Sequence, residues 1–304
     1  MSNFALIVVC LGLGIALRAS GRMPENGHVT LNAVIINVAL PALTFASVRH
    51  LHFEPALALA AAMPWLMFAV GSIFFAAAGR LFGFSRPTIG ALILVGALGN
   101  TSFVGLPMIE TFFGREAMKI GVVVDQLGSY LVLSTIGLFA AAVFAEEHPG
   151  GGGGGKLGKL LRFPPLQALI AALVLAPVPL PGWTDAMLMR LGDTIAPLAM
   201  LSVGCQLRLS GLASNRAALS LGLGFKLVLA PLLLTPIYFG LPQAMRETAR
   251  ITLFEAAMPP MIGAGIVAMQ HKLDAPLVTL MLGVGIPLSL LTVPAWWFGI
   301  SALG

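Results

Sequence analysis

Apolar stretches follow one another from end to end of the chain, and each is closed by a charged residue or by a cluster of glycine and proline. A bilayer crossing needs ~20 mostly apolar residues. The pattern therefore predicts ten transmembrane helices, at roughly 3–18, 30–48, 55–79, 87–113, 117–145, 164–180, 186–207, 216–239, 244–270 and 275–300. The first, NFALIVVCLGLGIAL, is as short as the core of a signal peptide. It has no positive segment ahead of it, and Arg18 and Arg22 come after the apolar run, which suits a first helix that ends in the cytoplasm.

One polar linker interrupts the series. EEHPGGGGGGKLGKLLR, residues 146–162, holds consecutive glycines from Gly150 to Gly155 and reads as a flexible cytoplasmic tether. It separates a first five-helix repeat at 1–145 from a second at 163–304. Each half holds an odd number of crossings, so two related halves must lie in the membrane with opposite orientation.

The helix breakers support such an inverted repeat. Asn37 precedes Pro41 by four residues in INVALPALTFASV, and Asp193 precedes Pro197 by four in GDTIAPLAMLSVG. In the fourth helix, GNTSFVGLPMIETF places Gly105 and Pro107 near mid-span; in the ninth, FEAAMPPMIGAGIVA places Pro259 and Pro260 there. Proline removes an N–H and clashes with the carbonyl one turn back, so both helices are expected to break at membrane depth. Broken backbone survives in a bilayer only where protein or a water-filled cavity surrounds it. Two such breaks at corresponding positions of two halves point to a transporter binding site. The half-helix N-termini offer free N–H groups and partial positive charge, which favour a carboxylate. Asn100, Thr101 and Ser102 beside the first break supply hydrogen bonds for its orientation, while unwound carbonyls and Glu255 beside the second can hold a cation.

Composition fixes the solvent. Of 304 residues, 58% are hydrophobic and only 10% charged, with a mean hydropathy of +0.95. A water-facing surface takes about 25% charged residues, so the chain belongs in a lipid bilayer, and disorder or nucleic-acid binding through basic clusters is excluded. Cys10 and Cys205 lie inside apolar runs and form neither a disulfide framework nor a metal-ligand spacing. The histidines fall near segment ends, His50-x-His52 reads as interfacial, and neither G-x-S-x-G nor H-E-x-x-H occurs, which disfavours an enzyme. No P-loop is present, so energy is expected from an ion gradient. The distribution of Lys and Arg among the loops favours both termini outside.

GNTSFVGLP in the fourth helix, EAAMPP in the ninth, NVALPALTF in the second and FKLVLAP in the eighth resemble the auxin efflux carrier family, with its bacterial malonate- and malate-permease-like members and plant PIN-type carriers. The resemblance covers nearly the whole chain. It implies an all-α integral membrane protein of two inverted five-helix repeats, with the broken fourth and ninth helices crossing at mid-membrane. It further implies a scaffold subdomain from the first, second, sixth and seventh helices, a transport subdomain from the other six, elevator-like movement, and a homodimer. The family's asparagine and prolines fall on Asn100, Pro107 and Pro259. Pro260 is familiar in bacterial members where PIN-type carriers tend to have Gln, and Glu255 departs from relatives that carry Gly or Gln.

Ionisable residues at membrane depth default to functional hypotheses. Glu255, one turn before Pro259, is expected to carry a proton or bind a cation, and a related resemblance to bile-acid sodium symporters keeps sodium open. Asp125 either titrates or pairs with Lys226. Asp193 serves coupling or helix packing equally well, and Lys226 either acts as internal counter-ion to Asp125 or Glu255 or snorkels to the surface. The expected function is secondary active transport of a small organic anion by alternating access, coupled to protons or sodium. Asn37, Asn100, Thr101, Ser102, Gly105, Pro107, Pro259 and Pro260 form the expected substrate set, and Glu255, Asp125, Asp193 and Lys226 the expected coupling set. No cofactor is expected beyond a bound sodium ion at Glu255. A sodium-coupled symporter of the bile-acid type is the alternative, and a channel a more distant one.

Overall fold

The fold is described from a computed structural model, which covers residues 2–24, 26–49, 55–145, 164–206 and 215–302. The glycine-rich tether expected at 146–162 lies outside the described residues. Helical chain runs over α1 (Ser2–Ala19), α2 (27–49), α3 (Pro55–Leu81), α4 (86–96), α5 (101–113), α6 (115–144), α7 (Pro164–Val174), α8 (182–206), α9 (216–239), α10 (Arg246–Ala256), α11 (Ile262–Gln270) and α12 (Ala275–Ala302). Among the described residues, six helices are long and apolar enough to cross a membrane: Gly27–Ala46, Pro55–Leu81, Arg115–Phe144, Gly182–Cys205, Arg216–Phe239 and Ala275–Ala302. Large apolar side chains stand on their outer faces, with Ile73 72% and Leu291 73% exposed. That surface suits hydrocarbon, not water. At 1.5 Å per residue, α4 and α10 each reach about 16 Å, half of a ~30 Å hydrocarbon core.

The chain divides into two interleaved units, each drawing on both sequence halves. The first holds 1–54, 102–122 and 152–206; the second holds 55–101, 123–151 and 207–304.

Within the first unit the pairing is reciprocal. α1 lies along the second part of α8, and α7 lies along the second part of α2. Gly14 and Gly204 make the first contact possible, because a Cβ on Gly14 would strike the Leu201 carbonyl and one on Gly204 the Leu11 carbonyl. Only glycine lets two backbones come so close. The helix ends are tied in the same reciprocal way. Arg18 at the end of α1 donates to the carbonyl of Cys205, and Arg49 at the end of α2 donates to that of Val178 beyond α7. A cation at a helix C-terminus satisfies a carbonyl that the helix itself leaves open.

The second unit is built around α3, α4, most of α6, and α9 to α12. Ser85 caps α4 by accepting from Thr88 N at 3.3 Å, with Pro87 in the first turn, where its missing N–H costs nothing. Asp274 caps α12 by accepting from Leu277 N at 3.1 Å, and it also receives the Thr88 hydroxyl at 2.8 Å. The starts of these two helices are thereby joined.

Several helices contain a π-turn, at Ile35–Ala39, Leu92–Gly96, Thr101–Gly105, Val124–Ser129, Leu133–Gly137 and Phe225–Leu229. A wider turn shifts carbonyls off the normal ladder, and such turns concentrate at functional positions. Here two of the carbonyls accept tryptophan indoles: Trp65 Nε1 donates to Leu127 O at 3.1 Å, and Trp296 Nε1 donates to Leu227 O at 2.8 Å.

Candidate functional site

The candidate site lies in the second unit, where two non-helical segments meet. Residues 98–100, after the last helical residue Ala97, separate α4 from α5, and 257–261 separate α10 from α11. Both segments are buried, so their backbone groups must find partners within the protein. They find one another. Asn100 N donates to Pro259 O at 2.8 Å, Met261 N donates to Leu98 O at 3.1 Å, and Gly99 and Pro260 form an antiparallel bridge.

The second break falls at Pro259 and Pro260, as the sequence predicts. The first does not fall at Gly105 and Pro107 but before Thr101. Residues 101–105 form a π-turn, and Pro107 sits in the first turn of the α-helix Leu106–Phe113. The helix runs on through the proline, whose missing N–H falls where the wide turn passes into the α-helical part. The break moves instead to the place where another extended segment can satisfy the freed backbone.

Polar side chains gather around this crossing. Thr101 opens α5 and is fully buried; its hydroxyl donates to Asp125 Oδ1 at 2.6 Å. Asp125 stands on the π-turn of α6, also buried, and its Oδ2 accepts from Gln126 Nε2 at 2.7 Å. Gln126 carries no expectation from sequence, although its place next to an intramembrane acid is the signal that it shares that acid's environment. Asn100 is buried as well. Its backbone N–H makes the bond to Pro259 across the crossing.

Glu255 is the penultimate residue of α10 and is wholly buried. Neither carboxylate oxygen has a hydrogen-bond partner among the described residues. Its charged neighbours are Asp125 and Lys226, which act on it with opposite sign. Lys226, on the π-turn of α9, is equally buried and does not snorkel to a surface. Its Nζ donates to Ala256 O at 2.7 Å and lies 3.7 Å from Met67 Sδ. Ala256 ends α10, so the ammonium sits at the negative end of a half-helix. Glu255, the residue before Ala256, is an acid whose charge acts on the ammonium.

The remaining expected residues belong to the first unit. Ser102 and Gly105 lie buried on the π-turn that follows Thr101, and Pro107 is buried just beyond it. Asn37 is exposed on its π-turn and donates to Ala33 O at 2.7 Å, one turn back in its own helix. Asp193 lies at the turn inside α8 and accepts from Arg115 Nη2 at 2.5 Å, while the same nitrogen is 3.4 Å from Glu110. The side chains of Arg115 and Asp193 are 48% and 45% exposed. Arg115 and Glu110 are members of this cluster that sequence reading did not single out.

Comparison with known proteins gives the chain its relatives. A family of membrane transport proteins matches residues 1–149 and 156–297, almost the whole length. The chain belongs to the membrane transport protein family. This is the auxin efflux carrier family that the motifs of the fourth, eighth and ninth helices resemble. The chain is 29% identical over 296 residues to an uncharacterized transporter of Methanothermobacter thermautotrophicus, with 95% of each chain covered. It is 22% identical over 308 residues to an uncharacterized transporter of Methanocaldococcus jannaschii, with 97% of each covered. The protein is thus a transporter of the membrane, and the breaks described above lie in a family whose business is moving solutes.

Proposed function

We propose that this protein is a secondary active transporter of a small organic anion, with dicarboxylates or monocarboxylates such as malonate or malate as the substrate class. It is not an enzyme in this reading. The observation that supports it is the pairing of two interrupted helices beside a buried carboxylate that makes no hydrogen bond among the described residues. The N-terminal ends of α5 and α11 each begin at a break, and such ends carry partial positive charge suited to a carboxylate. Asn100, Thr101 and Ser102 flank the first break and Pro259 and Pro260 shape the second; Gly105, Pro107 and Asn37 complete the proposed substrate set.

Coupling is assigned to the acids. Glu255 takes up and releases the coupled cation, a proton or sodium, with Asp125 and Lys226 setting the charge around it; Asp193 acts through its pair with Arg115. The reciprocal packing of the first unit supports a pair of inverted five-helix repeats, ten crossings in all, with alternating access of the elevator type. The proposed placement has both termini outside, the 146–162 linker in the cytoplasm, and a homodimer as the assembled form. A screen of organic acids by thermal shift, each run in sodium and in potassium and at two pH values, tests the substrate class. One acid class should raise the melting temperature saturably. Failure of every mono- and dicarboxylate to do so, with the protein folded, would refute it.

A further inference from the structure

A buried cation at this crossing has to satisfy three requirements: a negative helix end, a nearby carboxylate, and a space free of side chains. All three are met around the Lys226 ammonium. The helix end is Ala256 O, 2.7 Å from Nζ. The carboxylate is Glu255, the residue before Ala256 at the end of the same helix, and neither of its oxygens has a hydrogen-bond partner among the described residues. The space is left by Gly99: a Cβ there would come within 3.3 Å of Lys226 Nζ and 3.5 Å of the Glu255 carbonyl oxygen. The ammonium therefore lies directly beneath the bridging backbone of the first break.

We infer that Lys226 is the resident cation of the crossing and stands where a bound alkali ion would otherwise stand. The inference deepens the site proposed above and rests on reading the crossing as that site. An ammonium on a four-carbon stem brings one positive charge and directional donors, and its charge neutralises the C-terminal end of α10 without a free ion. A second monovalent cation placed on the same carbonyl and carboxylate would face the ammonium in a low-dielectric interior, where like charges repel strongly. Sodium and potassium are thereby kept out. The groups that face Glu255 are Asp125 from α6 and Lys226 from α9; α3 and α12, which also pack on α10, bring no acid from the described residues, and the basic Arg80 of α3 lies in its last turn. What remains exchangeable at Glu255 is a proton.

Thermal unfolding of the purified full-length protein tests this with no organic anion present, so the outcome does not depend on whether a transported substrate has been found. The salts are sodium, potassium and N-methylglucamine chloride at equal ionic strength. Wild-type protein is expected to melt at the same temperature in all three. One bound cation at a hundred times its Kd would raise the midpoint by about 5 °C, and a saturable rise specific to sodium or potassium would overturn the inference. Lys226→Ala is expected to melt lower, and to recover at least half of the loss as methylammonium or sodium is titrated in. A folded Lys226→Ala protein that none of these cations stabilises would also overturn it. Should Lys226→Ala not fold, the wild-type comparison decides alone.

Discussion

Glu255→Gln separates coupling from binding. Glutamine keeps the shape of the side chain, and since neither oxygen of Glu255 is hydrogen-bonded among the described residues, the exchange breaks no bond there. Removing the charge leaves the buried Lys226 with one acid fewer beside it, so the variant should be less stable, by up to about 3–5 kcal/mol, and transport is measured on protein that remains folded. The functional change is read separately, as loss of coupling. One proton carried per cycle converts one pH unit into about 1.4 kcal/mol, which is tenfold accumulation of the anion. In proteoliposomes with a pH step of about one unit, the wild-type protein should concentrate the anion about tenfold. Glu255→Gln should reach only equality across the membrane while still exchanging labelled for unlabelled anion. Undiminished pH-driven accumulation by the variant refutes the assignment. Loss of exchange from a folded variant refutes it too, because the carboxyl would then serve substrate binding.

Three further substitutions probe the same region and its surroundings. Asn100→Ala leaves the backbone bond from Asn100 N to Pro259 O intact, so the crossing should persist while anion binding weakens by about 1–2 kcal/mol, roughly five- to thirtyfold in a titration. Thr101→Val deletes the buried hydroxyl that donates to Asp125 at 2.6 Å; a hydrogen bond to a charged group contributes about 1.5–3 kcal/mol, and denaturation should show a loss in that range. Asp193→Asn breaks a pair whose two side chains are nearly half exposed. Such pairs contribute about 0–1 kcal/mol, so stability should barely change, and accumulation in proteoliposomes that persists at wild-type level would remove Asp193 from the coupling set.

The extent to which the site was legible in the sequence follows the range of the forces that form it. The second break was legible because Pro259 and Pro260 forbid helical hydrogen bonds locally. The first was misplaced by that same rule: Pro107 is the conspicuous breaker, yet the chain stays helical from Thr101 to Phe113, with a π-turn ahead of the proline. Leu98, Gly99 and Asn100 leave the helix because their partners are Met261, Pro260 and Pro259 in the other half of the chain, a pairing that no local window contains.

Lys226 shows the same limit from the side of chemistry. Its sequence allows a snorkelling base or an internal counter-ion, and what decides between them is a backbone carbonyl, Ala256 O, freed only because α10 stops there. Asp193 likewise read as an intramembrane acid until Arg115, 78 positions earlier, met it. Side-chain identity announces that a charge is present. Its role is fixed by backbone groups released at helix ends and π-turns, so in this fold the breaks in the helices, more than the charges themselves, determine where chemistry can occur.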